Sequence, residues 1–124
     1  MYKLDGYYDV RYDHERKLIR ISTFGFWNLD VVKSFAGAVG AVSRIAGDKC
    51  DTLLNTCRTE IHTPEVSEAL ARLSEDNKHV MTGRVAVVSP SMLLRMQTKR
   101  QQLAEVRYAY FDTEEAALDW LASA

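Results

Sequence analysis

The chain has 124 residues, of which 47% are hydrophobic, so one domain can bury a core without help from disulfides or metal. Its formal net charge of −1 argues against a nucleic-acid-binding protein, because such domains are usually strongly basic. The chain has only two cysteines, no apolar leader after Met1 and no apolar run near the ~20 residues of a membrane span. These features predict a single cytoplasmic domain over residues 1–124.

The first predicted elements are two strands joined by a short turn. Tyr8, Val10 and Tyr12 alternate with charged residues, a pattern typical of a strand with one solvated face. Residues 18–24 repeat the alternation with apolar side chains on one face. Because only the polar turn 13–16 separates the two strands, we expect them to pair antiparallel.

A long amphipathic helix follows the hairpin. Asn28 is a favourable N-cap, since its side chain can accept a hydrogen bond from an amide of the first turn. Gly47 stands where a positive φ usually ends a helix. Between them, apolar residues recur at helical spacing and predict the buried face: Val32, Phe35, Val39, Val42 and Ala46.

A strand over 51–57 and a second helix come next. Pro64 is predicted at the first helical position, where its missing N–H costs no hydrogen bond. Thr63 precedes it and is predicted to cap the helix. Val66 and Leu70, one turn apart, are expected to face the core.

The next strand, over 84–89, is apolar at every central position. This composition is typical of a strand that is covered on both faces. Ser89–Pro90 repeats the cap-and-proline pattern and predicts the start of a third helix. The apolar stripe predicted for this helix is sparse: Leu93, Met96 and Leu103.

A last strand over 106–110 precedes a short final helix. Asp112 and Glu115 have the spacing of a capping box at its start. The predicted order is therefore β-β-α-β-α-β-α-β-α. Since helix-length connections join parallel neighbours, we expect an α/β fold in which a mixed five-stranded sheet, opened by an antiparallel hairpin and parallel thereafter, is packed with four helices.

Three segments together resemble a known family. They are the hairpin 8–24, the strand 84–89 with its Ser-Pro helix start, and the tail 111–121, which reads aromatic-x-x-Glu-Glu-Ala-x-x-x-Trp-Leu. These segments and the element order are similar to the STAS domain, especially its SpoIIAA-like bacterial branch, which is grouped with Sec14-like lipid-binding domains. The resemblance spans nearly the whole chain and implies a single SpoIIAA-like domain.

The same resemblance implies a non-catalytic regulatory or protein-interaction module. The alternative, from the Sec14 side, is a domain that binds a lipid or a small apolar ligand. Domains of this type act through the first two helices and the adjacent loops. Residues here that match this surface are Gly37, Gly40, Arg58, Thr59, His62 and Thr63.

A phosphorylation switch is the second implication of the family. Members that antagonise anti-sigma factors carry an Asp-Ser-Ser-Gly-like segment whose serine, at the start of the helix after the third strand, is phosphorylated. Residues 58–64 lack that pattern, and Thr63 is the nearest hydroxyl. Thr63 is thus either a plain N-cap, which we favour, or a phospho-switch.

The first helix carries a stripe opposite its apolar face. Lys33, Gly37, Gly40 and Arg44 fall on this stripe at ~100° per residue. Glycine inside a helix costs about 1 kcal/mol relative to alanine. The stripe is either a partner or homodimer surface that small residues allow to approach closely, or a tolerated, slightly weak exposed face.

The sequence predicts no catalytic residues, no metal site and no cofactor. The three histidines, His14, His62 and His79, and the two cysteines lack the spacings of common zinc sites. Cys57 precedes Arg58 at a strand end, where a cation lowers a thiol pKa. We favour a packed thiol there, since free cysteine is among the most often buried residue types.

A cluster of cations is predicted around the third helix. Arg95, Lys99 and Arg100 lie close together in sequence. Most such clusters are solvated faces. The alternative is a basic patch that binds an anionic partner or a lipid headgroup.

Overall fold

The computed structural model describes residues 5–47, 50–76, 83–89, 91–100, 102 and 106–123. Strands and helices alternate in the predicted order. Their bounds are β1 (Tyr7–Asp13), β2 (Leu18–Gly25), α1 (Leu29–Ala46), β3 (Asp51–Thr59), α2 (Pro64–Asp76), β4 (Val85–Val88), α3 (Met92–Lys99), β5 (Tyr108–Phe111) and α4 (Glu114–Ala122).

The five strands form one sheet in the order β1-β2-β3-β4-β5. β1 and β2 pair antiparallel, and each later neighbour pairs parallel. The predicted mixed sheet with four helices is confirmed. All four residues of β4 are buried, as expected for a central strand covered on both faces.

Helices cover the two faces of the sheet unequally. On one face α1 and α2 enclose the larger core cluster, in which Trp27 is almost completely buried. On the other face α4 packs on β3, β4 and β5 through Ala117 and Leu121. β1 and β2 therefore have helical cover mainly on the α1 side.

Three predicted caps are present. The Asn28 side chain accepts a hydrogen bond from the Val31 amide at 2.9 Å, and Gly47 ends α1 at φ 79°. Thr63 Oγ1 accepts from the Val66 amide at 3.2 Å. These contacts place the start of α1 and α2 at the carboxyl ends of β2 and β3, where the candidate site lies.

The starts of the last two helices differ from the prediction. Ser91 caps α3 and Thr113 caps α4, each accepting from an amide three residues on; Pro90 lies outside the described residues. Asp112 instead pairs with Arg95 at 2.8 Å. A neighbouring hydroxyl competes equally well for the cap position, so the sequence alone predicted the wrong residue in both cases. β5 begins at Tyr108 rather than at residue 106.

The predicted buried stripe of α3 is wrong. Leu94 and Thr98 are the buried residues of this helix, whereas Leu93 and Met96 are exposed. Leu93 and Leu94 are adjacent and therefore lie on different faces of the helix. The apolar residues of α3 were too few to show which of these faces is buried. Leu103 lies outside the described residues.

β3 was predicted to end at residue 57 but continues to Thr59, and a bulge lies near this end. Ser22 pairs with Asn55, but Phe24 pairs with Arg58, so β3 carries one extra residue. Cys57 and Arg58 are consequently both exposed. The prediction of a packed Cys57 is wrong for this reason.

Candidate functional site

The segment after the bulge leads from β3 to α2 along the carboxyl edge of the sheet. Arg58 is exposed and forms no ion pair with any residue in the described ranges. Thr59 is buried, and its hydroxyl is hydrogen-bonded to the hydroxyl of Thr23. The prediction that Thr59 belongs to a partner surface is therefore wrong, whereas Arg58 is accessible.

Gln97 of α3 holds this segment in place. The His62 amide donates to Gln97 Oε1 at 3.0 Å, and Gln97 Nε2 donates to the His62 carbonyl at 2.8 Å. One side chain thus pairs with both backbone groups of His62, in the manner of a neighbouring strand. Sequence reasoning missed Gln97, because nothing in the local pattern links it to a residue 35 positions away.

The His62 imidazole points inward. Its ring packs edge-on to Trp27, with centroids 6.0 Å apart. Nδ1 is buried and has no hydrogen-bond partner among the described residues. Burial lowers the pKa of His62, so the imidazole is neutral at neutral pH.

A cavity of about 100 Å³, partly open to solvent, lies beside His62. Its lining is mainly apolar and includes Trp27, Phe35 and Leu70. Three threonine hydroxyls of the lining are satisfied within the protein: Thr23 is bonded to Thr59, Thr56 donates to the Val88 carbonyl, and Thr98 donates to the Leu94 carbonyl. His62 Nδ1 is the buried, unsatisfied polar atom of this lining in the described part of the chain.

Four large apolar side chains are exposed around the Gln97 contact. Ile61 is 40% exposed, Met92 71%, Leu93 62% and Met96 51%. Leu93 and Gln97 are one helical turn apart and so share a side of α3, which brings the patch next to the loop that carries Ile61. We call the set formed by Arg58, Ile61, Met92, Leu93 and Met96 the docking edge.

The stripe predicted on α1 is open to solvent. Lys33, Gly37 and Arg44 are exposed and Gly40 is half-buried. A Cβ added at either glycine would have no other atom within 4 Å. The stripe is accessible, and packing inside this chain does not require either glycine.

The predicted basic patch is smaller than the sequence suggests. Arg95 is engaged internally, by Asp112, by the Ser89 carbonyl and over the Tyr110 ring. Burial, with a smaller contribution from Tyr108, raises the pKa of Tyr110 to about 12. The accessible cations of the patch are Lys99 and Arg100.

The remaining candidates show no reactive chemistry in the described residues. Partial burial raises the pKa of the Cys57 thiol, outweighing the opposite effect of Arg58. No group of three or more metal-ligating side chains comes together in the described ranges. Nor is any described helix sufficiently long and apolar to span a bilayer.

Neither a family model nor a curated protein matches the sequence, but solved structures share its fold. One is an uncharacterised protein of the DUF3478 family with a SpoIIAA-like fold, from Shewanella loihica PV-4. It has a TM-score of 0.73 and 13% identity, covering 98% of this chain and 99% of that chain. Another, an anti-sigma factor antagonist from Mycobacterium paratuberculosis, has a TM-score of 0.66 and 18% identity over 95% of each chain. The chain has a SpoIIAA-like fold, as its element order predicted.

Proposed function

We propose that this protein is a non-catalytic regulatory module that binds a protein partner through the docking edge. The observation that carries the proposal is the exposed apolar cluster at the carboxyl edge of the sheet. Met92, Leu93 and Met96 lie within about one turn of α3, and exposed apolar side chains grouped in this way are typical of interaction sites. The shared fold with an anti-sigma factor antagonist supports a regulatory role.

The chemistry of the docking edge suits protein recognition. Methionine side chains adapt to irregular apolar surfaces, and arginine is enriched in interfaces. Arg58 lies three residues before Ile61 and forms no ion pair among the described residues, so it is available for an acidic group. The Gln97 contact pre-orders the loop and reduces the entropy lost on binding.

Capture from lysate of the native host tests this proposal when it is compared between variants. A Leu93→Glu/Met96→Glu protein changes two exposed side chains and is expected to keep its fold while losing the partner. Lys33→Glu, which introduces a carboxylate on the outer stripe of α1, is the matched control. The proposal is refuted if both variants retain the same partner equally. It is also refuted if no captured protein distinguishes the two variants.

A second candidate function rests on the cavity beside His62. Its volume of about 100 Å³ is below the ~300 Å³ of the smallest ordinary ligand pockets. An acyl chain therefore does not fit. If the protein binds a ligand here, as the Sec14-like alternative proposes, that ligand is a small, mostly apolar molecule with one hydrogen-bonding group. An engineered apolar cavity of roughly 150 Å³ is known to take benzene.

Phenol and benzene are the appropriate probes of the cavity. We expect phenol to raise the melting temperature more than benzene does, because its hydroxyl can pair with His62 Nδ1. His62→Phe should remove that difference. If neither probe shifts the melting temperature of the wild type, the ligand function is wrong.

A further inference from the structure

The outer edge of β1 is available for strand pairing. β1 lies at one end of the sheet and spans Tyr7–Asp13, and no described residue pairs with its outer edge. Natural sheets protect their edges with short strands, prolines or bulges. β5, at the other edge, has only four residues, whereas β1 has seven and pairs with β2 without a register shift.

The charges on β1 pair along the strand and not with its neighbour. Asp9 and Arg11 are exposed on the same face of the strand and form an ion pair at 3.7 Å. Both side chains are more than half exposed, so this pair contributes little. Arg11 lies directly opposite Arg20 of β2, and Arg20 is already paired with Asp13 and Glu114. Like charges in opposite positions are unfavourable, so a second carboxylate, on the outer side of β1, would stabilise Arg11.

We propose that a second copy of this chain pairs antiparallel with β1, with Val10 opposite Val10 of the other copy. In this register the Asp9 of each copy lies opposite the Arg11 of the other copy, so the dimer contains two such pairs. A shift of two residues places Asp9 opposite Asp9 or Arg11 opposite Arg11. A shift of one residue places side chains on the wrong faces. The charges therefore select one register out of the alternatives.

The side of α1 above β1 suits the same dimer. The Tyr8 hydroxyl is hydrogen-bonded to the Ser34 hydroxyl, and Ala38, Ala41 and Ile45 follow Ser34 on the same side of the helix. Ile45 is 67% exposed. This side of α1 would face the other copy, which would cover Ile45.

Charge reversal tests both the dimer and its register. Sedimentation equilibrium should show a wild-type dimer. Asp9→Arg alone or Arg11→Asp alone should weaken it about tenfold or more, because two contacts become repulsive. The double reversal restores both contacts and should restore the dimer. An equimolar mixture of the two single variants should form a heterodimer, which also shows that each variant is folded.

Lys99→Glu alters an exposed charge over the Tyr110 ring of β5, at the opposite edge of the sheet, and is the control that should leave the dissociation constant unchanged. The proposal is overturned if the wild type remains monomeric at its highest soluble concentration. It is equally overturned if a wild-type dimer is insensitive to the single reversals, or if neither the double reversal nor the mixture restores association.

Discussion

Replacing Gly37 and Gly40 with alanine should stabilise the protein. Both residues lie inside α1, and a Cβ at either position meets open space. Glycine costs about 1 kcal/mol relative to alanine in a helix interior, so the double variant should gain about 2 kcal/mol in free energy of unfolding. The entropy of unfolding for 124 residues is about 260 cal/mol/K, so the melting temperature should rise by roughly 8 °C.

Thermal and urea unfolding, followed by circular dichroism, measure this gain. Gly47→Ala is the matched control, because Gly47 has φ 79°, and an alanine there should cost on the order of 1–3 kcal/mol. A double variant that gains nothing, or that loses stability, would refute the view that the stripe is free of contacts within the chain. A stabilised variant that no longer binds its partner would instead make the stripe an interface.

Three other outcomes follow from the described contacts. The pKa of His62 in the folded state lies below its usual 6.5. The unfolded state therefore binds the proton more tightly, and the free energy of unfolding should fall as the pH drops below about 6.5. His62→Phe should flatten this part of the curve of stability against pH relative to the control His14→Gln, and an unchanged curve would contradict the burial of His62. Thr63→Ala should cost about 1 kcal/mol in urea unfolding whereas Thr63→Ser should cost less, and equal losses would show that the cap contributes little. Cys57 is exposed, whereas Cys50 is half-buried and its thiol donates to the Lys17 carbonyl. A thiol reagent should therefore label Cys57 first. Preferential labelling of Cys50 would contradict the exposure of Cys57 at the bulge.

The fold was predictable because its strongest signals are periodic and local. The apolar run of β4 and the helical stripe from Val32 to Ala46 each define one element without reference to the rest of the chain. The caps at Asn28 and Thr63 likewise depend only on residues within one turn. The sense of each strand pairing then followed from the connection lengths, since a short turn joins antiparallel strands and helix-length crossovers join parallel ones.

The candidate site was less predictable because it depends on contacts between distant residues. The Gln97 pairing with His62 joins α3 to the loop before α2, and no pattern within either segment indicates it. The bulge that exposes Cys57 and Arg58 inserts one residue without a glycine or proline to mark it. On α3 the choice between Leu93 and Leu94 was made by tertiary packing, and the unchosen leucine became part of the docking edge.

Hydrogen exchange of the protein with and without its captured partner tests the central claim most directly. We predict that partner binding slows exchange at residues 58–63 and 92–97, since these segments form the docking edge, while amides along the outer stripe of α1 remain unchanged. Protection confined to α1, or to the β1 edge, with none at these two segments would contradict the assignment of partner binding to this surface.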